Sequence, residues 1–205
     1  MNPVLPKVGY KQERKSGVKI GILGGTFNPI HNGHLILAGE CLKKLGLEKV
    51  IFVPTSLAPH KDNSDVAQDT DRLTMIKIAL AANLNFTVSD IEITRGGNSY
   101  TIDTIRELKK RYPEDELYFI AGSDLLKYLD DWKDLKEIIK MVKFIVATRP
   151  NYPLESIPAY IQTLAIDAVD ISGYRIRHLI KEGRAFRDLL PPAVFDYISK
   201  KGLYK

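Results

Sequence analysis

Short β-branched apolar runs alternate along this chain with segments of helical apolar spacing, and that alternation restricts the possible folds more than any other feature. The first run, VKIGIL (Val18–Leu23), is stopped by Gly24-Gly25 and reads as a buried strand. The helical pattern GHLILAGECLKKLGL follows, with Gly46 near its end. KVIFVP, closed by Pro54, is a second strand, and the polar loop TSLAPHKDNSDVAQDT leads from it to a helix, DRLTMIKIALAA. FTVSDIEI, ELYFIAG and VKFIVAT read as the third, fourth and fifth strands, and TLAIDAV as a short sixth. Helices are expected over SYTIDTIRELKKRY, SDLLKYL and WKDLKEIIK, and SGYRIRHLIKEG and PPAVFDYISKKG supply two more at the end of the chain. Such alternation implies right-handed βαβ crossovers, and hence a doubly wound, mostly parallel α/β sheet with helices on both faces. Sheets of this kind take ligands beyond the carboxyl ends of their strands, where strand order reverses. The loops after strands one, two, four and six are therefore expected to hold the chemistry.

The 205 residues are read as one domain over 18–205, preceded by a short basic extension over 1–17 that is flexible or laid on the surface. No run approaches the roughly 20 apolar residues that span a bilayer, and the N-terminal stretch lacks an apolar signal segment, so no membrane partner is expected. Cys41 is the single cysteine, which suits a reducing cytoplasm. A net charge of +5 would attract nucleic acid or a small polyanion such as a nucleotide, and would equally arise from solvated lysines on helix faces. Basic residues interspersed with acids, as in RELKKRYPEDE, argue against a nucleic-acid surface.

The stretch GGTFNPIHNGH opens a helix directly after strand one, but it is neither a G-x-G-x-x-G fingerprint nor a P-loop. Gly24 and Gly25 let backbone amides approach a ligand, and the helix N-terminus adds N–H donors and a positive dipole end. His31 and His34, three apart, can project to one side of the first turn. A tight turn with capping histidines, half of a zinc site, and an anion site for a phosphoryl group are all compatible with this spacing. After strand two, His60 and Lys61 are candidates for phosphate contact or simply solvated side chains. After strand four, Gly122 permits close backbone approach, and Asp124 either accepts ribose hydroxyls or caps the short helix. Trp132, the only tryptophan, lies among charges in DDWKD, where it either packs on the core or stacks on a flat ring near the surface. Ser172 stands at an N-cap position, with Arg175 and Arg177 just inside the helix. Cations there oppose the macrodipole, a conflict that a bound anion would remove.

Taken together, these segments resemble the nucleotidyltransferase superfamily of Rossmann-like enzymes with an H-x-G-H signature. HNGH (His31–His34) matches that signature, and ISGYRIR is similar to the superfamily's C-terminal I-S-x-x-x-I-R motif. Within the superfamily the chain is most similar to the bacterial nicotinate-nucleotide adenylyltransferases. That likeness runs in order through GGTFNPIHNGHL, PHK, SYTIDTI, IAGSDLL…W, ATRP and LPPAVFDYISKKGLY, covering residues 18–205. The resemblance implies that nicotinate mononucleotide attacks the α-phosphate of ATP, giving deamido-NAD and pyrophosphate, with Mg²⁺ held mainly by the ATP phosphates and water. Carried over by position, the amides of Gly25, Thr26 and Phe27, beside Gly24, would meet phosphate. His34, with His31 beside it, would stabilise the α-phosphoryl transition state. Lys61 would hold phosphate, and Ser172 and Arg177 the β- and γ-phosphates. Asp124, after Gly122, would contact the adenosine part. Tyr100 and Thr101 would bound the nicotinate carboxylate, and Trp132 would stack on the pyridine. No protein metal ligand is implied, and a homo-oligomer is compatible. The chain departs from the family at Gly173 and Tyr174, where small hydroxyl residues are common. Alternatives are the amidated mononucleotide or phosphopantetheine as acceptor, or a non-catalytic nucleotide-binding module.

Overall fold

A computed structural model describes residues 17–57, 65–148, 157–166 and 171–205. Six parallel strands form one sheet: β1 (Lys19–Gly25), β2 (Lys49–Pro54), β3 (Phe86–Val88), β4 (Glu116–Gly122), β5 (Lys143–Thr148) and β6 (Ile161–Ala165). Their order is β3-β2-β1-β4-β5-β6. The chain builds outward from β1 to β3, then returns to lay β4 against the other side of β1. The reversal point therefore lies between β1 and β4, with Leu23 opposite Phe52 on one side and Ile120 on the other.

Both faces of this sheet are covered, which is why its strands read as continuous apolar runs. Successive residues point to opposite faces. Ile20, Ile22, Ile51, Val53, Leu117, Phe119, Phe144 and Val146 join one core cluster. Leu23, Val50, Phe52, Tyr118, Ile120 and Ile145 join the other. The first face carries α4 (Thr101–Arg111) and α5 (Leu135–Met141), whose Ile102, Ile105, Leu108 and Ile138 are buried in it. The second carries α1 (Asn32–Leu45), α2 (Asp69–Leu80), α6 (Gly173–Lys181) and α7 (Pro192–Lys201). Gly21 sits where a Cβ would lie 2.9 Å from both Ile120 and Leu47, so a bare backbone lets the end of α1 close on the sheet.

Several boundaries follow directly from local chemistry. Gly46 ends α1 at φ 63°, with Lys43 and Lys44 in the last turn where cations favour the dipole. Pro192 starts α7 and Gly202 ends it at φ 63°. Two segments differ from the sequence reading. The third strand stops at Val88, and Ile91–Arg95 forms the short helix α3. The segment after β4 is a 3₁₀ helix over Ser123–Asp131. Among the described residues, no helix is long and apolar enough to cross a membrane.

Candidate active site

The β1–α1 loop is held from behind by groups that take its carbonyls. Arg72 of α2 is fully buried, and its Nη1 donates to the Thr26 carbonyl at 2.6 Å and its Nε to the Ala67 carbonyl at 3.1 Å. Its remaining nitrogen pairs with the Asp69 carboxylate. Because the Thr26–Phe27 peptide is trans, fixing that carbonyl on Arg72 turns the Phe27 N–H the opposite way. The Asn28 carbonyl accepts from Arg177 Nη1 at 2.8 Å. The Asn28 amide reaches the segment before α2, donating to the Asp65 carbonyl at 2.9 Å and accepting from the Ala67 N–H at 3.0 Å. Phe27 adopts φ 47°, a left-handed conformation that costs a bulky residue about 1–2 kcal/mol. Burial of its ring against Phe52 and His34 holds it there. Gly25 makes room: a Cβ would sit 3.3 Å from that ring.

His31 is the N-cap residue of α1, and its N–H donates to His34 Nδ1 at 3.2 Å. The two rings stack with centroids 3.7 Å apart. Gly33 between them is required by this stacking, since a Cβ there would lie 3.1 Å from His31 Nδ1. Burial, reinforced by the neighbouring His31 imidazole, holds His34 well below the usual histidine value. A neutral His34 whose Nδ1 accepts must carry its proton on Nε2. The capped turn thus has Nδ1 closing it and the ring's proton on Nε2, where a neutral imidazole can donate. Among the described residues, no three of His, Cys, Asp or Glu come together as a metal-holding group.

Ser172 is the N-cap of α6, its Oγ accepting from the Arg175 N–H at 3.2 Å, which leaves its hydroxyl proton available. Arg177 does not face solvent as a bare cation at a helix start. The Asn28 carbonyl, and the Asp65 carboxylate 4.0 Å from Nε, ease its conflict with the macrodipole. Gly173 has a steric cause, because a Cβ there would fall 2.7 Å from the Asn28 carbonyl oxygen. The structure therefore joins the H-x-G-H loop and the I-S-x-x-x-I-R helix directly.

Tyr100, Thr101 and Trp132 lie on the other face of the sheet. Tyr100 is the N-cap residue of α4 and Thr101 its first residue. Lys133 Nζ lies 4.7 Å from the centre of the Tyr100 ring. Trp132 packs edge-on against Phe119 at 5.4 Å and against Phe144 at 5.6 Å, half-buried beside the same cluster as Tyr100. Its charged neighbours point to the surface, yet the core-packing reading describes much of its contact. Gly122 is the N-cap of the 3₁₀ helix, so Asp124 is its second residue rather than its cap position. The Asp124 side chain, His60 and Lys61 lie outside the described residues. Sequence reasoning overlooked Arg72 and Asp65, which lie outside any motif, and gave no role to Asn28 within GGTFNPIHNGH; a buried arginine on a helix face looks like a solvated one.

The chain matches the model of the cytidylyltransferase-like family over residues 22–179. It is 42% identical over 186 residues to a probable nicotinate-nucleotide adenylyltransferase of Geobacillus thermodenitrificans, covering 91% of this chain and 86% of that one. It is 39% identical over 187 residues to the nicotinate-nucleotide adenylyltransferase of Bacillus subtilis, covering 91% and 98%. Its fold is similar to that of the Plasmodium falciparum nicotinic acid mononucleotide adenylyltransferase, solved in complex with NaAD. The TM-score is 0.77, at 20% identity over 91% of this chain and 97% of that one. The chain belongs to the cytidylyltransferase-like family, and within it to the nicotinate-nucleotide adenylyltransferases.

Proposed function

We propose that this enzyme transfers the adenylyl group of ATP to nicotinate mononucleotide, releasing pyrophosphate and forming deamido-NAD in NAD biosynthesis. The observation that carries the reading is the junction of the His31–His34 pair with the α6 N-terminus through the 2.8 Å Arg177–Asn28 bond. Two helix N-termini and two imidazoles converge there, as a polyphosphate requires.

A phosphate oxygen of the mononucleotide attacks the α-phosphorus in line, and the bond from that phosphorus to the bridging oxygen of pyrophosphate breaks. No protein nucleophile is needed, only position and charge neutralisation. His34 Nε2–H donates to a non-bridging α-oxygen, and His31 flanks it. The Phe27 N–H, turned away from Arg72, and the Gly24–Thr26 backbone line the same side. The Ser172 hydroxyl and the first turn of α6 receive the β- and γ-phosphates, with Arg177 and Lys61 as cations. Gly122 and Asp124 take the adenosine end, and Tyr100, Thr101 and Trp132 the pyridine carboxylate end. Mg²⁺ would arrive on the ATP phosphates, with those phosphates and water as its ligands, and would neutralise the charge of the departing pyrophosphate. A cytoplasmic setting belongs to the same reading.

The test supplies ATP and Mg²⁺ with nicotinate or nicotinamide mononucleotide in parallel, reading pyrophosphate and the dinucleotide product. A higher kcat/KM for the nicotinate form is expected. Equal values would overturn the acid preference, and no product from either would overturn the reaction.

A further inference from the structure

One buried acid has no part in the reaction described above. Glu92 of α3 is only 7% exposed, and its Oε1 accepts from the Thr104 hydroxyl at 2.6 Å. Thr104 Oγ1 is itself the acceptor for Arg95 Nη2 at 3.0 Å, so its single proton is directed at Glu92. The other carboxyl oxygen, Oε2, is buried without a hydrogen bond among the described residues. Burial pushes the Glu92 carboxyl above its usual range, against the opposite pull of the Thr104, Ser99 and Thr55 hydroxyls and of Arg95. Ser99 Oγ accepts from the Ser56 N–H at 3.0 Å, which leaves the Ser99 proton free to turn toward Glu92. The Ser99 N–H in turn donates to the Leu57 carbonyl at 2.9 Å.

These contacts tie together three separate pieces of the carboxyl edge of the sheet. Thr55–Leu57 is the exit from β2, Ser99 immediately precedes Tyr100 and Thr101, and Thr104 stands in the first turn of α4. Gly96 and Gly97 both have φ 68°, so the strand of backbone between Glu92 and Ser99 is a glycine turn with little stiffness of its own. Its position depends on what is beneath it.

We infer that Glu92 is a positioning residue for the acceptor nucleotide: through the Thr104 and Ser99 hydroxyls it sets where the Tyr100–Thr101 backbone at the start of α4 meets the ligand. This inference rests on the proposed reaction, in which that segment receives the mononucleotide and the His31–His34 loop receives ATP. Glu92 touches neither substrate. It acts by fixing the register of α4 against the β2 exit. Its removal should therefore affect one substrate and spare the other, which a loss of general stability would not do.

The experiment measures KM for nicotinate mononucleotide and for ATP separately in wild type, Glu92→Ala, Glu92→Gln and Thr104→Val. Glu92→Ala takes the acceptor from the buried Thr104 hydroxyl and from the half-buried Ser99 hydroxyl beside it, and the acceptor KM should rise about ten-fold while the ATP KM stays within about two-fold. Glu92→Gln keeps an acceptor for Thr104 and a polar group for Ser99, and should stay within about three-fold of wild type. Thr104→Val, which keeps the side-chain shape if the alanine variant does not fold, should raise the acceptor KM about three-fold. Equal changes in both KM values, or none in either, would overturn the inference. So would a glutamine variant as impaired as the alanine one. If wild type turns over neither mononucleotide, the proposed reaction fails instead, and that outcome is separate from any comparison among the variants.

Discussion

Gly173→Ala puts the joint between α6 and the β1–α1 loop under direct test. Two effects oppose each other. Alanine is a better helix former than glycine by about 0.5–1 kcal/mol, so on propensity alone the change stabilises. Against that, the added Cβ would lie 2.7 Å from the Asn28 carbonyl oxygen. That atom is backbone, in a loop fixed by Arg72 and by its own side chain, so it cannot swing aside as a lysine tip would. Moving it also disturbs the 2.8 Å bond from Arg177. Overpacking of this kind costs about 1–3 kcal/mol, and loss of a charge-assisted hydrogen bond about 1.5–3 kcal/mol when complete. Sterics win, and a net loss of about 1–3 kcal/mol is expected. Gly39, in the middle of α1, is the matched control, because a Cβ there would meet nothing within 4 Å. Gly39→Ala should stabilise by about 0.5–1 kcal/mol. Urea midpoints at constant m-value read both signs, and the ATP KM of the Gly173 variant should rise as the loop shifts. If both variants stabilise to a similar degree, α6 does not approach the loop as closely as described and the reasoning fails.

Other perturbations have equally definite outcomes. Arg72→Met leaves the half-buried Thr26 and Ala67 carbonyls without their donor and should cost about 2–4 kcal/mol in urea unfolding, with a fall in kcat. His34 is held below its usual value when folded, so below pH about 6.5 the unfolded chain binds the extra proton more readily. Stability is therefore complete above that pH and is lost as pH falls through it, by at most about 1.4 kcal/mol per pH unit. Midpoints measured across that range should show the slope, and His34→Gln should flatten it. Cys41 is buried, and burial pushes its thiol up to about 12. A thiol reagent at neutral pH should label it only in denaturant, and rapid labelling of the native protein would contradict its placement.

The sheet was legible because its strands are buried on both faces, which leaves unbroken apolar runs such as VKIGIL and KVIFVP between helical patterns. The short helix α3 was not. DIEI looks like the continuation of a strand, and a five-residue helix is too short to show a 3.6 period. That GGTFNPIHNGH turns the chain from β1 into a helix was legible from its glycines and its place after the strand. What the sequence could not show was how that loop is held. Arg72, Asn28 and Arg177 act through backbone carbonyls far along the chain, and such partners leave no mark on spacing. For Trp132 the charges on either side pointed to the surface and the indole to the core, and the half-buried ring meets both, packing on Phe119 and Phe144. Gly173, a departure from the family pattern, makes sense only once the Asn28 carbonyl stands opposite it.

The central claim is that His34, with Nδ1 closing the turn and its proton on Nε2, stabilises charge at the α-phosphorus. Its most direct test is the rate of pyrophosphate release from ATP and nicotinate mononucleotide by His34→Ala, with ATP affinity measured alongside. A single well-aimed donor is worth about 10²–10³ in rate, so kcat should fall by that factor while ATP binding changes little. A kcat within a few-fold of wild type would contradict the account.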